Sequence, residues 1–130
     1  MKIPFLDLGA AYHELKTEID VAVSRVLESG CYILGPEVEA FETEWAAYCD
    51  AKHSVGLANG LDALVLALRA LNVGPGDEVI LPSNTYIATW LAVSAVGAKP
   101  VPIEPNPATH NIDTKRIAAA ITPQTKVLLP

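Results

Sequence analysis

Across residues 11–28 the apolar side chains Leu15, Ile19, Ala22, Val23, Val26 and Leu27 recur at intervals of three and four, the period that gathers them on one face of an α-helix. Ser29-Gly30 predicts its end. Val38, Phe41, Trp45 and Tyr48 write a second amphipathic helix, with Pro36 in the first turn, where no N–H is needed. Glu37, Glu39, Glu42 and Glu44 take its early positions, which suits the helix dipole, and are expected to form a solvated face.

The pattern then changes period. Residues 53–58 are short and apolar enough for a strand, Asn59-Gly60 is a turn signal, and Leu61, Leu64, Val65, Leu68 and Leu71 define a third helix. Gly74-Pro75-Gly76 forces a loop before a buried strand at 78–81. A helix at 85–96 follows, closed by Gly97. Residues 99–103 form the next strand candidate, and Pro100 and Pro102, unable to donate ladder hydrogen bonds, place it at an edge or a strand end. Residues 104–111 are a proline-rich loop. Asp113 is the expected N-cap of a helix through Ile121, and residues 126–129 begin a fourth strand.

Strands alternating with helices build a parallel sheet covered by helices, so the fold class is α/β. The chain divides into a helical segment over residues 1–50 and an α/β segment over 51–130. The first two helices have no strands of their own to pack on, and nothing follows the strand at 126–129 to cover it, so further chain is expected beyond Pro130.

Composition narrows the function. With 130 residues, 51% hydrophobic and 18% charged, the chain has the size and apolar content of one globular domain with a core. A net charge of -6 leaves no basic face for a phosphate backbone, which argues against nucleic acid. The stretch after Met1-Lys2 is broken by Pro4, Asp7 and Gly9, unlike the apolar run of a secretory signal. Residues 86–98 are too short for a bilayer span and contain Thr89 and Ser94. A cytoplasmic protein is therefore expected, with Cys31 and Cys49 as free thiols that lack zinc-ligand spacing.

In a parallel sheet, ligands bind at the carboxyl ends of strands, where helix N-termini offer free N–H groups to anions. Two turns qualify. In Ala58-Asn59-Gly60-Leu61-Asp62-Ala63-Leu64, glycine lets backbone approach a ligand and the next N–H groups are unpaired, which favours a phosphate. Asn-Gly before a helix is also ordinary turn chemistry, so both readings stand. Neither G-x-G-x-x-G nor a Walker loop is present. In Pro82-Ser83-Asn84-Thr85-Tyr86, the polar residues read as helix caps. Tyr86 is either a flat face for an aromatic ligand or a packing residue, and Trp90 is expected in the core. His13, His53 and His110 lack a partner carboxylate or nucleophile at a recognisable spacing and are read as structural.

Five segments follow in one register: Ile3-Pro4-Phe5-Leu6-Asp7-Leu8; Gly30-Cys31-Tyr32-Ile33-Leu34-Gly35-Pro36 with Phe41-Glu42; Asn59-Gly60-Leu61-Asp62-Ala63-Leu64; Gly74-Pro75-Gly76-Asp77-Glu78-Val79-Ile80; and Pro82-Ser83-Asn84-Thr85-Tyr86-Ile87-Ala88. Together they resemble the DegT-like nucleotide-sugar aminotransferases, and in detail those that aminate C3 of a dTDP-linked 3-keto-6-deoxyhexose. The resemblance implies the N-terminal part of an aspartate-aminotransferase-type fold and a homodimer with sites at the subunit interface. It also implies pyridoxal 5'-phosphate (PLP) as cofactor and glutamate as the usual amino donor. Residues 1–50 would then contribute to active site and dimer, and 51–130 would be the first half of the PLP-binding domain. By position, the backbone of Gly60, Leu61 and Asp62 would meet the PLP phosphate, Tyr86 would stack on its ring, and Tyr32 would lie near the sugar. No lysine of this chain (Lys2, Lys16, Lys52, Lys99, Lys115, Lys126) matches the family's cofactor-carrying lysine, so the chain by itself is expected to be inactive. Two other classes remain: a PLP-binding regulatory relative without catalysis, and an α/β module that binds a phosphorylated metabolite.

Overall fold

The computed structural model describes residues 5–130, so Ile3-Pro4 of the first motif lies outside it. The chain forms two compact units that meet in sequence at Gly56 and Leu57.

In the first unit, Asp7 accepts the N–H groups of Gly9 and Ala10 and starts α1 (Leu8–Glu14). The single helix expected over 11–28 therefore starts earlier, and it is also broken. At Leu15 ψ reaches 15°, and the chain resumes as α2 (Lys16–Ser29). The break is tied across by side chains: Tyr12 Oη donates to Asp20 (2.9 Å), Lys16 Nζ donates to Tyr12 Oη (2.9 Å), and Lys16 pairs with Asp20. Gly30 ends α2 at φ 69°, as its sequence position predicts. Helix α3 (Pro36–Tyr48) has proline in its first turn. Glu39 and Glu44 are solvated as expected. Glu37 is exposed too and makes a two-bond pair with Arg25 (2.6 and 2.9 Å), whereas Glu42 is half-buried and accepts the Gly56 N–H (2.6 Å).

The strand expected at 53–58 does not form. Strand structure exists only through ladder bonds to a neighbour, and this segment makes none; Val55 stays 71% exposed.

The second unit holds α4 (Gly60–Ala70), β1 (Glu78–Pro82), α5 (Ile87–Ala95), β2 (Lys99–Ile103), α6 (Thr114–Ala120) and β3 (Thr125–Leu128). Its three strands are parallel in the order β2-β1-β3, which makes the expected α/β class with one strand fewer than predicted. Central β1 is buried along its whole length. Val79 and Leu81 pack with Leu68, Val73, Ala92, Val93 and Ala98, and Trp90 lies half-buried against that cluster. The prolines of β2 are accommodated by strand parity. The Lys99 N–H donates to Asp77 O on the β1 side (2.9 Å), so Pro100 and Pro102 fall on the open side, where no donor is required.

Helix α5 starts two residues later than predicted. Its N-cap is Tyr86 in extended conformation, with no side-chain cap. None of Ser83, Asn84 and Thr85 is the cap: the side chains of Asn84 and Thr85 are engaged elsewhere, and Ser83 is held through its backbone. The Ser83 N–H bonds Ile103 O (2.9 Å), Asn84 Nδ2 bonds His110 O (3.0 Å), and Thr85 Oγ1 meets Thr89 Oγ1 (2.9 Å). Asp113 caps α6 as expected. Among the described residues no helix is long and apolar enough to cross a membrane.

Candidate cofactor site

The start of α4 is built by a reciprocal pair. Asn59 Oδ1 accepts the Asp62 N–H (2.9 Å), and Asn59 Nδ2 donates back to the Asp62 carboxylate (2.9 Å). This side-chain exchange closes the first turn as a capping box does. It also sorts the three backbone groups singled out in the sequence. The Asp62 N–H is engaged, whereas those of Gly60 and Leu61 have no hydrogen-bond partner among the described residues. Two free N–H groups at the positive end of an 11-residue helix are what an anion requires.

Gly60 leaves space as well. A Cβ built there would meet nothing within 4 Å. The space is part of a cavity of about 520 Å³ lined by Asn59, Gly60, Leu61, Tyr86, Ile87 and Thr89, among others. The fold thus brings the α4 start and the start of α5 to one hollow, although 26 positions separate Gly60 from Tyr86 in the chain. Tyr86 is 78% exposed among the described residues. In the sequence Asn59 reads as a turn signal, and Thr89 falls within the second candidate turn, 82–90, without a role of its own. Thr89 was findable, since it stands one helical turn after Thr85.

Tyr32 belongs to the first unit. Its hydroxyl donates to Leu27 O (3.2 Å), and its ring lines a cavity of about 380 Å³ with Arg25, Cys31, Leu34 and Glu37. The loop that carries it is held by a close approach at Gly35, where φ is 94°. His13 ends α1, His53 lies outside any helix or strand, and His110 contributes its backbone to a turn at φ 59°. Cys31 and Cys49 are free.

The opposite end of the sheet is electrostatic rather than hollow. The Asp77 carboxyl is held below its ordinary range by the Gly74 N–H and then by Lys126. Glu78 is lowered by Lys99 (2.8 Å) and by the Thr122 hydroxyl (2.7 Å). These groups clamp strand starts and face no cavity with Tyr86.

One family's sequence pattern matches residues 13–130. The chain belongs to the DegT/DnrJ/EryC1/StrS aminotransferase family. Among relatives of this family, dTDP-3-amino-3,4,6-trideoxy-alpha-D-glucose transaminase of Streptomyces venezuelae is 60% identical over 129 residues, covering 99% of this chain and 34% of that protein. The erythromycin biosynthesis sensory transduction protein EryC1 of Saccharopolyspora erythraea is 59% identical over 130 residues, covering 100% of this chain and 36% of its own. The crystal structure of S. venezuelae DesV in complex with a ketimine intermediate superposes with a TM-score of 0.95 at 60% identity, over 99% of this chain and 35% of that one. The chain therefore spans about a third of the length of these relatives. Its fold matches the N-terminal part of the DegT aminotransferase fold.

Proposed function

We propose that the protein is a PLP-dependent aminotransferase that moves an amino group, from glutamate, to C3 of a dTDP-linked 3-keto-6-deoxyhexose, and that it works as a cytoplasmic homodimer. The observation that carries the reading is the meeting of the free Gly60 and Leu61 N–H groups with the exposed ring of Tyr86 around one cavity. The DegT aminotransferase family is PLP-dependent, and an anionic tail joined to a flat aromatic ring fits both ends of that hollow. The name of the S. venezuelae transaminase, a dTDP-3-amino-3,4,6-trideoxy-alpha-D-glucose transaminase, supports the dTDP-linked sugar and the position of the amine.

When bound, PLP supplies the electron sink for the amino transfer. The residues of this chain hold and orient it. The N–H groups of Gly60 and Leu61 would donate to the phosphate, with the α4 dipole behind them. Asn59 and Asp62 fix that turn through their mutual bonds. Tyr86 would offer its ring face to the cofactor ring. Tyr32, at the mouth of the loop after α2, is assigned to the sugar.

The test is PLP binding and amine transfer in a protein of the relatives' full length. Gly60→Val, which places a branched side chain in the hollow, should raise the PLP dissociation constant at least about tenfold with the far-ultraviolet circular dichroism unchanged. Tyr86→Phe should be tolerated, while Tyr86→Ala should weaken PLP by about fivefold, the equivalent of one ring-stacking contact. Unchanged PLP affinity in both Gly60→Val and Tyr86→Ala would remove the site. A second reading is favoured by the name of the S. erythraea relative, a sensory transduction protein. It predicts PLP uptake with no amine transfer to any dTDP-keto sugar.

A further inference from the structure

The turn that carries Tyr86 is held by a bond that the aminotransferase reading does not use. Asn84 Nδ2 donates to the carbonyl of His110 (3.0 Å), linking positions 26 apart and joining the β1–α5 turn to the loop between β2 and α6. That loop is internally organised. Pro105 and Ile112 form an antiparallel bridge, the His110 N–H bonds Asn106 O (2.8 Å), the Asn106 N–H bonds Asn111 O (2.8 Å), and the Ala108 N–H bonds Asn106 Oδ1 (2.9 Å). His110 itself sits at φ 59°, a left-handed conformation that costs a side-chain-bearing residue energy. It is the carbonyl of this residue that meets Asn84. Beside the bond lies a cavity of about 310 Å³ lined by Asn84, Thr85, His110 and Asn111, among others.

We infer that Asn84 is a positioning residue, whose one amide bond keeps the 104–112 loop and the Tyr86 turn in register at the carboxyl end of the sheet. The inference rests on the proposed cofactor site, because Tyr86 is the group being positioned. A main-chain carbonyl only accepts, so the part of Asn84 facing it is the NH₂ group, and a carboxylate cannot take its place. Asn84→Asp keeps the shape and inverts the interaction. Asn84→Ala removes the shape and the bond together.

The experiment compares hydrogen exchange and PLP affinity in full-length wild type, Asn84→Ala and Asn84→Asp. Asn84→Ala should speed exchange of the His110 and Asn106 amides about fivefold, as loss of one ordinary hydrogen bond would. Asn84→Asp should speed it further and raise the PLP dissociation constant more than Asn84→Ala does. The amides of Ile80 and Leu81 should exchange at wild-type rates in both. If Asn84 serves only as filler, the order reverses and Asn84→Asp is the milder change, which overturns the inference. Unaltered loop exchange, or equal acceleration at Ile80 and Leu81, overturns it as well. Failure of the wild type to take up PLP defeats the cofactor reading instead, and the order of the two variants in loop exchange then decides the pin by itself.

Discussion

The two units of the chain carry equally clear amphipathic patterns and bury them to very different degrees. In the second, β1 is sheathed on both faces, and Val79, Ile80, Leu81 and Val93 are all fully enclosed. In the first, Ala46 is the one buried hydrophobic residue among those described. Phe41, Trp45 and Tyr48 run along α3 and stack on one another, with centroids 5.9 and 5.4 Å apart, yet all three remain exposed. Periodicity thus selects the face of a helix without supplying what covers it. A central parallel strand, by contrast, acquires its covering from the crossover helices that its own connections require.

The sharpest way to break this contrast is to cut one side chain from each unit. Leu81→Ala should cost about 2–5 kcal/mol, since its methyl groups leave a cavity in packed surroundings. Phe41→Ala, at 54% exposure, should cost less than about 1 kcal/mol by the usual standard of exposed positions. Urea unfolding of the chain measures both. Equal losses would mean that the units do not differ in the way their burial indicates.

A smaller effect is expected at Gly35, where the first unit depends on backbone rather than on core. Its φ of 94° and ψ of -172° lie in a region open almost only to glycine. A Cβ there would also sit 2.6 Å from Cys31 Sγ. Gly35→Ala should cost about 1–3 kcal/mol, read as a lower urea midpoint. Adding Cys31→Ala should return the steric share and leave the backbone share. Complete recovery in the double variant would show that the conformation itself carries no cost.

The smallest and most gradual effect is electrostatic and belongs to the second unit. The carboxyls of Asp77 and Glu78 are held below their ordinary range, the first chiefly by the Gly74 N–H and the second chiefly by Lys99. A group whose pKa is lower folded than unfolded adds stability above its unfolded pKa and loses it as pH falls through the folded one. Stability of this unit should therefore decline from about pH 4 downward, the unfolded carboxylate range. Glu78→Gln should flatten that decline in thermal unfolding measured as a function of pH. A profile unchanged by the substitution would remove Glu78 from the account.

Much of the second unit was legible before any coordinates, because its signals are local. Leu61, Leu64, Val65 and Leu68 share a helical face, Gly97 stops α5 at φ 80°, Asp113 caps α6, and Pro100 and Pro102 mark an edge strand. The errors occurred where a distant group settles the outcome. Residues 53–58 have strand composition and no strand to pair with. Asn84 and Thr85 have capping side chains, and these are engaged by His110 and Thr89 instead.

The candidate site divides along the same line. Residue order alone determined that Gly60 opens a helix and that Tyr86 stands at the entrance to another, since propensity, capping and turn chemistry act within a few residues. Only the tertiary structure decided that both face one hollow and that Tyr86 remains exposed. Those outcomes depend on packing across β1, between groups far apart in the chain, and no local rule carries that information.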